Sequence, residues 1–457
     1  MNSPLQDLQA RLRHTPYQAY SYSYPHKAAY RLLDTAQDLA QVWAAEDKRA
    51  LSGYVHIPFC SMRCGFCNLF AMATPAPEMV DAYVAQLVRQ MQTVAPLLGE
   101  FNFARFYVGG GTPTYLNLAQ WRRLLDGLGE YLHLDLHHVP AGVEASPETV
   151  DAAKLALLRR AGVQRISLGV QSFAASEVRS LARAQQNAQV QAAIEEVRHA
   201  AFPLLNLDLI YGIAGQTVAS LLASIDSALA FAPEELYLYP LYLRPQTGLG
   251  MQLSRQGQSN FAPLILHADG DSRLALYHAA RDHLRQAGYR QVSMRMFRAP
   301  HAPADSGPAY SCQNDGMLGF GAGARSYTRR LHYSSAYAVQ RSATRDIIAD
   351  WLNQDAVALS QARYGFVLNE DEQQRRFAMQ SLLTEPGLEL AAWQARFGGE
   401  LLAHRPELQA LLDLGLAQAH QGWLRLTEAG YARADTIGPW LASPAVRALM
   451  QEREVSC

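Results

Sequence analysis

Residues 53–70 read GYVHIPFCSMRCGFCNLF, an apolar run that breaks at Pro58 into a loop carrying Cys60, Cys64 and Cys67. A C-x3-C-x2-C arrangement on a loop leaving a strand lets three thiolates wrap a cubane cluster and leaves the fourth iron without a protein ligand. An open iron is a chemical opportunity. A structural zinc or a closed cluster would need one more thiolate or imidazole. The other cysteines, Cys312 and Cys457, lie far off in the chain, and distance in sequence leaves that alternative open. Five cysteines in 457 residues do not make a disulfide framework, and the grouping of three of them points to metal ligation in a reducing compartment.

Outward from this loop, short apolar runs alternate with amphipathic stretches, the pattern of βα units around a parallel sheet. The expected strands are 53–57, 105–108, 140–144, 165–170, 205–211, 236–242 and 290–297. A helix is expected over 79–98, where Val80, Tyr83, Val84, Leu87, Val88 and Met91 recur at helical spacing, and another over 148–161, stopping at Gly162. Six or seven such units fit an incomplete α/β barrel better than a closed eight-fold one. The notable residues fall where the strands end, the face on which βα barrels build their sites.

Residues 1–50 form an amino-terminal arm or lid, with an aromatic segment, YQAYSYSYPHKAAY, that follows neither the helical nor the strand period. The barrel is expected over 51–330 and a second domain over 331–457. In that tail, helices over 372–383, 390–397 and 407–414 precede two extended pieces around Gly422 and a helix from Thr427, which together describe a small winged-helix-like domain. Such a fold implies no DNA binding by itself. Lys and Arg number 40 against 41 Asp and Glu, so no basic field exists to hold nucleic acid. The apolar stretch 204–213 is too short for a membrane span and contains Asn206 and Asp208. No secretory signal is evident at the amino terminus, and a soluble cytoplasmic protein is expected.

The cysteine loop resembles that of the radical S-adenosylmethionine (SAM) superfamily. The segments FYVGGGTPTYL (106–116), VEASPETV (143–150), GVQRISLGVQSF (162–173), NLDLIYGIAGQT (206–217) and LGFGAGARSY (318–327) resemble the group that contains oxygen-independent coproporphyrinogen III oxidase and a haem chaperone. The resemblance covers about residues 53–327 well and the tail weakly, and the opening YSYSYPHKAAYR suggests a separate branch. It implies an incomplete (β/α)6 barrel, a [4Fe–4S] cluster on Cys60, Cys64 and Cys67, and SAM chelated at the open iron. It also implies a tetrapyrrole or other small-molecule substrate and an electron donor such as flavodoxin or ferredoxin.

Carried over by motif, Tyr54 and Phe66 would touch the cofactor, Phe66 against its adenine. Gly110, Gly111 and Thr112 would approach the methionyl amino group, where a close backbone is needed. Glu144 would face the cofactor's charged or hydroxylated parts, Gln171 and Arg183 its ribose and carboxylate, Asp208 the adenosyl ribose, and Tyr242 the cofactor through its backbone. No catalytic residue is assigned. His56 and Tyr30 read as packing residues and Cys312 as a buried inert thiol. Three activities compete: oxidative decarboxylation of coproporphyrinogen III or related radical chemistry, haem carriage, and methyl-transferring haem opening. Haem carriage is weakened because Gln313 replaces the histidine of the chaperone's HN pair in SCQND.

Overall fold

The computed structural model describes residues 3–14, 17–21, 23–256, 266–267, 270–304 and 311–456. Its centre is a run of six neighbouring parallel strands, β2 to β7, taken in chain order. The first is β2 (Leu51–Ile57), followed by β3 (Phe103–Gly110), β4 (Ala141–Ala145), β5 (Arg165–Gln171), β6 (Leu204–Tyr211) and β7 (Glu235–Pro240). Strand alternation sends Leu205, Leu207 and Leu209 of β6 and Leu236 and Leu238 of β7 outward into a core where each is 0% exposed. Their neighbours Asn206, Asp208, Glu235, Tyr237 and Tyr239 therefore face inward.

The helix Pro77–Leu98 follows β2 and covers it from outside. Proline at its first turn starts it, and Val80, Tyr83, Val84, Leu87, Met91 and Val94 form a single buried stripe. Each such side chain contributes about 1.5–3 kcal/mol relative to exposure. The expected helix over 148–161 begins later, at Ala152, because Asp151 caps it by accepting a hydrogen bond from the Lys154 amide at 2.8 Å.

The barrel is incomplete: on one side of β2 the sheet continues instead of closing. There β10 (Met317–Phe320) pairs parallel to β2, followed by antiparallel β11 (Arg325–Tyr327), β12 (Leu331–Ser334), β13 (Gln361–Val367) and, at the edge, β1 (Arg31–Asp38). Two strands beyond residue 330 thus belong to the large sheet, and the tail's separate core begins only with the helix Glu370–Leu382. At the other end, the strand expected over 290–297 is a hairpin of β8 (Arg290–Gln291) and β9 (Met296–Arg298), with β9 antiparallel to β7. Ser293 breaks it, its hydroxyl accepting from the amides of Arg295 at 3.2 Å and Met296 at 3.1 Å.

The tail packs its helices against a three-stranded sheet, β14 (Leu388–Glu389), β15 (Ala417–His420) and β16 (Trp423–Leu426), the winged-helix-like form expected. Its core of Trp393, Leu408, Leu411, Leu424 and Ile437 also takes in Leu8 and Tyr24 from the amino-terminal arm. The arm is accordingly a strap. Its helix Pro4–His14 packs in the tail, Tyr17 and Trp43 pack in the barrel core, and β1 completes the sheet edge. Among the described residues, no helix is long and apolar enough to cross a membrane.

Candidate functional site

Strands β2 to β6 deliver every expected contact up to Asp208 to one mouth. After Ile57 the chain makes a two-residue strand at Phe59–Cys60 paired with Met72–Ala73, which ties both ends of the cysteine loop. Cys60, Cys64 and Cys67 are free thiols. The Thr112 hydroxyl lies 3.5 Å from the Cys60 sulfur, Arg183 Nη1 donates to the Cys64 sulfur at 3.0 Å, and the Leu69 amide donates to the Cys67 sulfur. Burial pushes the Cys60 thiol up to about 12, and ionisation of Cys67 or Cys64 would push it further, so the three groups sense one another. Lone thiolates are disfavoured in such surroundings unless a cation holds them.

Among the described residues no three His, Cys, Asp or Glu side chains stand at metal-ligating separations. Rotation of the cysteine side chains would therefore have to gather the sulfurs. The donor set fits a cluster nonetheless: soft thiols, an enclosed loop and N–H donors aimed at sulfur.

The GGGTPT loop lies against this one. Gly111 and Thr112 donate their amides to the carbonyls of Ile57 and Phe59, each at 2.8 Å. A Cβ on Gly111 would come within 2.8 Å of both the Cys60 sulfur and the Phe59 carbonyl oxygen, so only glycine lets the loops approach this closely. Gly110, at φ 121°, donates its amide to Glu144 Oε2 at 2.9 Å. The amides of all three residues expected at the methionyl amino group are thus engaged within the protein.

Glu144 is open to solvent yet surrounded by protein, because it faces into the lumen. Burial raises it to about 7, with the Gly110 amide opposing the shift and Asp208 reinforcing it, although lumen water screens these effects. Burial likewise raises Asp208 to about 6, opposed by a 2.8 Å hydrogen bond from Asn206 Nδ2. Two facing carboxylates with elevated pKa values form a site that gains from a cation.

Arg183 is 9% exposed and fully engaged on the site's floor: besides Cys64 it donates to Ser146 Oγ and the Gly169 carbonyl at 3.0 Å each, and to Gln185 Oε1 at 2.7 Å. Gln171 sits at a bulge between β5 and β6 with φ 70°, a strained placement for a non-glycine residue. Phe66 rests on an apolar patch of Leu181, Ile210, Ile213 and Leu241. The Tyr242 hydroxyl donates to buried Asp435 of the tail, so its side chain is turned toward the tail.

His56 packs between Tyr54 and Phe70, 6% exposed, and shares the inward face of β2 with Tyr54. Its Nε2 donates to the Phe70 carbonyl at 2.9 Å, which leaves Nδ1 to accept the Tyr54 hydroxyl at 3.0 Å. Burial lowers it to about 4, so the ring stays neutral. The two-residue spacing from Tyr54 was the available signal. Arg165, Glu235 and Arg298 form a second buried group below the carboxylates, Arg165 Nε to Glu235 at 3.0 Å and Arg298 Nη1 to Glu235 at 3.3 Å. Cys312 is a free thiol beside Arg325, Asp315 and Arg105, pushed up to about 11 by burial. Cys457 lies outside the described residues.

The Radical SAM superfamily model matches residues 54–228. The Heme chaperone HemW of Bacillus subtilis is 30% identical over 279 residues, 60% of this chain and 70% of that protein. Oxygen-independent coproporphyrinogen III oxidase of Pseudomonas aeruginosa is 28% identical over 418 residues, 85% and 84% of the two chains. Among solved structures, coproporphyrinogen III oxidase (HemN) from Escherichia coli shares the fold with a TM-score of 0.74 at 23% identity, over 95% of this chain and 98% of that one.

Proposed function

Because the chain belongs to the radical SAM superfamily, in its coproporphyrinogen III oxidase-like group, with a [4Fe–4S] cluster and SAM as cofactors, we propose that it turns SAM over reductively and oxidises a tetrapyrrole. The observation that carries the proposal is the convergence of three free cysteines, Arg183 and two carboxylates of raised pKa at one mouth. When bound, the cluster and SAM supply one-electron cleavage of the sulfonium and a 5′-deoxyadenosyl radical that abstracts hydrogen.

The chain's own residues hold and shield. Cys60, Cys64 and Cys67 ligate the cluster, and Arg183 and the Leu69 amide direct N–H groups at the sulfurs. Glu144 and Asp208 face the cofactor's cationic and hydroxylated parts, Gln171 its ribose, and Gly110, Gly111 and Thr112 its methionyl end. Phe66 and its apolar patch exclude water from the adenine. Tyr54, fixed by neutral His56, and the backbone at Tyr242 complete the wall. The substrate in this reading is coproporphyrinogen III: a one-electron donor starts each turnover, one hydrogen atom leaves a propionate side chain, and loss of carbon dioxide leaves a vinyl group and one electron that passes to an external electron acceptor, in a cytoplasmic location.

The test is anaerobic reconstitution with iron and sulfide, followed by SAM and dithionite, with 5′-deoxyadenosine quantified for wild type and Cys64→Ala. Product that depends on Cys64 is expected. A loaded wild-type cluster that forms none would overturn the reading. Haem carriage is the second reading, favoured by the 30% identity to the chaperone. A Soret shift on haem titration with haem retained through a column, and no 5′-deoxyadenosine formed with coproporphyrinogen III, would establish it instead.

A further inference from the structure

A closed βα barrel fills its interior with layers of side chains. This one is hollow. The leucines that β6 and β7 turn outward are 0% exposed, whereas inward Tyr107, on the central strand β3, is 37% exposed. Tyr54, Arg165, Tyr237 and Tyr239, also inward, are half-buried. Of these five only Tyr54 belongs to the cofactor contacts described above, so most of the lumen wall has no assigned ligand.

Strand register shows where the cations of that wall stand. Residues opposite one another share a face of the sheet, and one row of partners runs Arg165, Gly142, Tyr107, Tyr54 and Gly319. Antiparallel β11 extends the row to Arg325: Met317 stands opposite Tyr327, and a Cβ on Gly319 would run into the Arg325 carbonyl. Arg325 therefore points inward beside Tyr54, and its charge reaches the neighbouring His56 ring. Arg165 and Arg325 are five strand spacings apart, roughly 24 Å around the curved wall, so a ligand that touches both must cross the lumen. Between them Tyr107 leans over Gly142, where an added Cβ would lie 2.9 Å from its ring. Arg165 and Arg298 share one acid, Glu235, at 3.0 and 3.3 Å. With Glu144 and Asp208 facing the cofactor's cation, that wall keeps a positive charge. On the other wall Arg325 Nη1 meets the neutral Ser23 hydroxyl of the arm at 3.5 Å. Tyr20 of the arm stands edge-on to Tyr239 at 6.3 Å. Aromatic faces between separated guanidinium groups fit a broad ring with carboxylate arms on opposite edges.

Resting on the tetrapyrrole reading above, we infer that Arg325 and the Arg165–Arg298 pair anchor substrate carboxylates on opposite edges of the macrocycle, which lies against Tyr107. These residues set specificity. A ring with carboxylates on both edges satisfies both walls, and a ring with carboxylates on one edge satisfies only one. The arm belongs to the same site, because Ser23 positions the Arg325 guanidinium.

The test titrates the reconstituted full-length protein with two porphyrins and follows their fluorescence. Coproporphyrin III is the stable oxidised ring with the substrate's propionates on both edges, and mesoporphyrin IX carries its propionates on one edge. Wild type is compared with Arg325→Gln, Arg325→Lys and Tyr107→Leu, with thermal unfolding midpoints to check that each variant folds. Arg325→Gln should raise the Kd for coproporphyrin III about tenfold and leave that for mesoporphyrin, which can use the other wall, nearly unchanged. Arg325→Lys keeps the charge without the paired donors and should show the same selectivity at severalfold, which carries the test if Arg325→Gln does not fold. Tyr107→Leu should weaken both probes alike, severalfold. Equal losses for the two probes on changing Arg325, or no loss for coproporphyrin III, overturn the anchors and leave the tetrapyrrole reading standing. Absence of coproporphyrin III binding to wild type overturns that reading, and the anchors with it.

Discussion

At Glu144 and Asp208 two inward carboxylates are raised to about 7 and about 6 by burial. A raised carboxylate binds more protons folded than unfolded, so the stability of the cofactor-free protein should fall as pH rises from about 4 through about 7. A sulfonium cation reverses the balance, because it favours both ionised forms. SAM affinity should therefore increase as pH rises through the same window, with proton release on binding measured by calorimetry in buffers of different ionisation enthalpy. Affinity independent of pH would place the cation elsewhere. Arg183 invites a second prediction: Arg183→Lys cannot span Cys64, Ser146, Gly169 and Gln185 together, and hydrogen bonds to charged groups contribute about 1.5–3 kcal/mol each. Iron content after reconstitution should drop, and 5′-deoxyadenosine formation should fall at least tenfold. Spacing brought the cysteines into view, and the resemblance of VEASPETV and NLDLIYGIAGQT to family motifs did so for Glu144 and Asp208. Asp435 was hidden, since Arg295 pairs with it across 140 positions.

Among the elements, the glycine loop after β3 is the most tightly constrained. Gly111→Ala would drive a Cβ into the Phe59 backbone and the Cys60 sulfur, neither of which can retreat cheaply. The loops should separate, with a loss of about 1–3 kcal/mol in denaturant unfolding and of most reconstituted iron. The six parallel strands were legible because each is a buried apolar run followed by a helical stripe. The hairpin at residues 290–298 was not, because RQV before Ser293 and MRMF after it put strand-like residues on both sides of the serine turn. The antiparallel extension from β10 to β13 was missed for a related reason: its strands are short, glycine-rich or broken by loops, and tertiary pairing decides them.

Over the whole molecule, Asp435 joins parts that the sequence suggested were separate. It pairs with Arg295 Nη2 at 2.5 Å, accepts from Tyr242, and its carbonyl accepts the amides of Gln18 and Ala19 at 3.2 and 3.3 Å. Asp435→Ala would strand a buried guanidinium, and removing one partner of such a pair costs about 3–5 kcal/mol. Urea unfolding should register that loss, and the arm should become sensitive to protease near Tyr17. The strap explains why residues 1–50 resisted reading as any period: their partners are supplied by the barrel, the sheet edge and the tail. It also sets an order of events during synthesis. Strand β1 and the helix before it leave the ribosome well before β13 and the tail core that receive them. At roughly 5–20 residues per second the nascent amino terminus waits on the order of tens of seconds without its partners. The strap is the last piece to lock, and until then its tyrosines and leucines are bait for holdase chaperones.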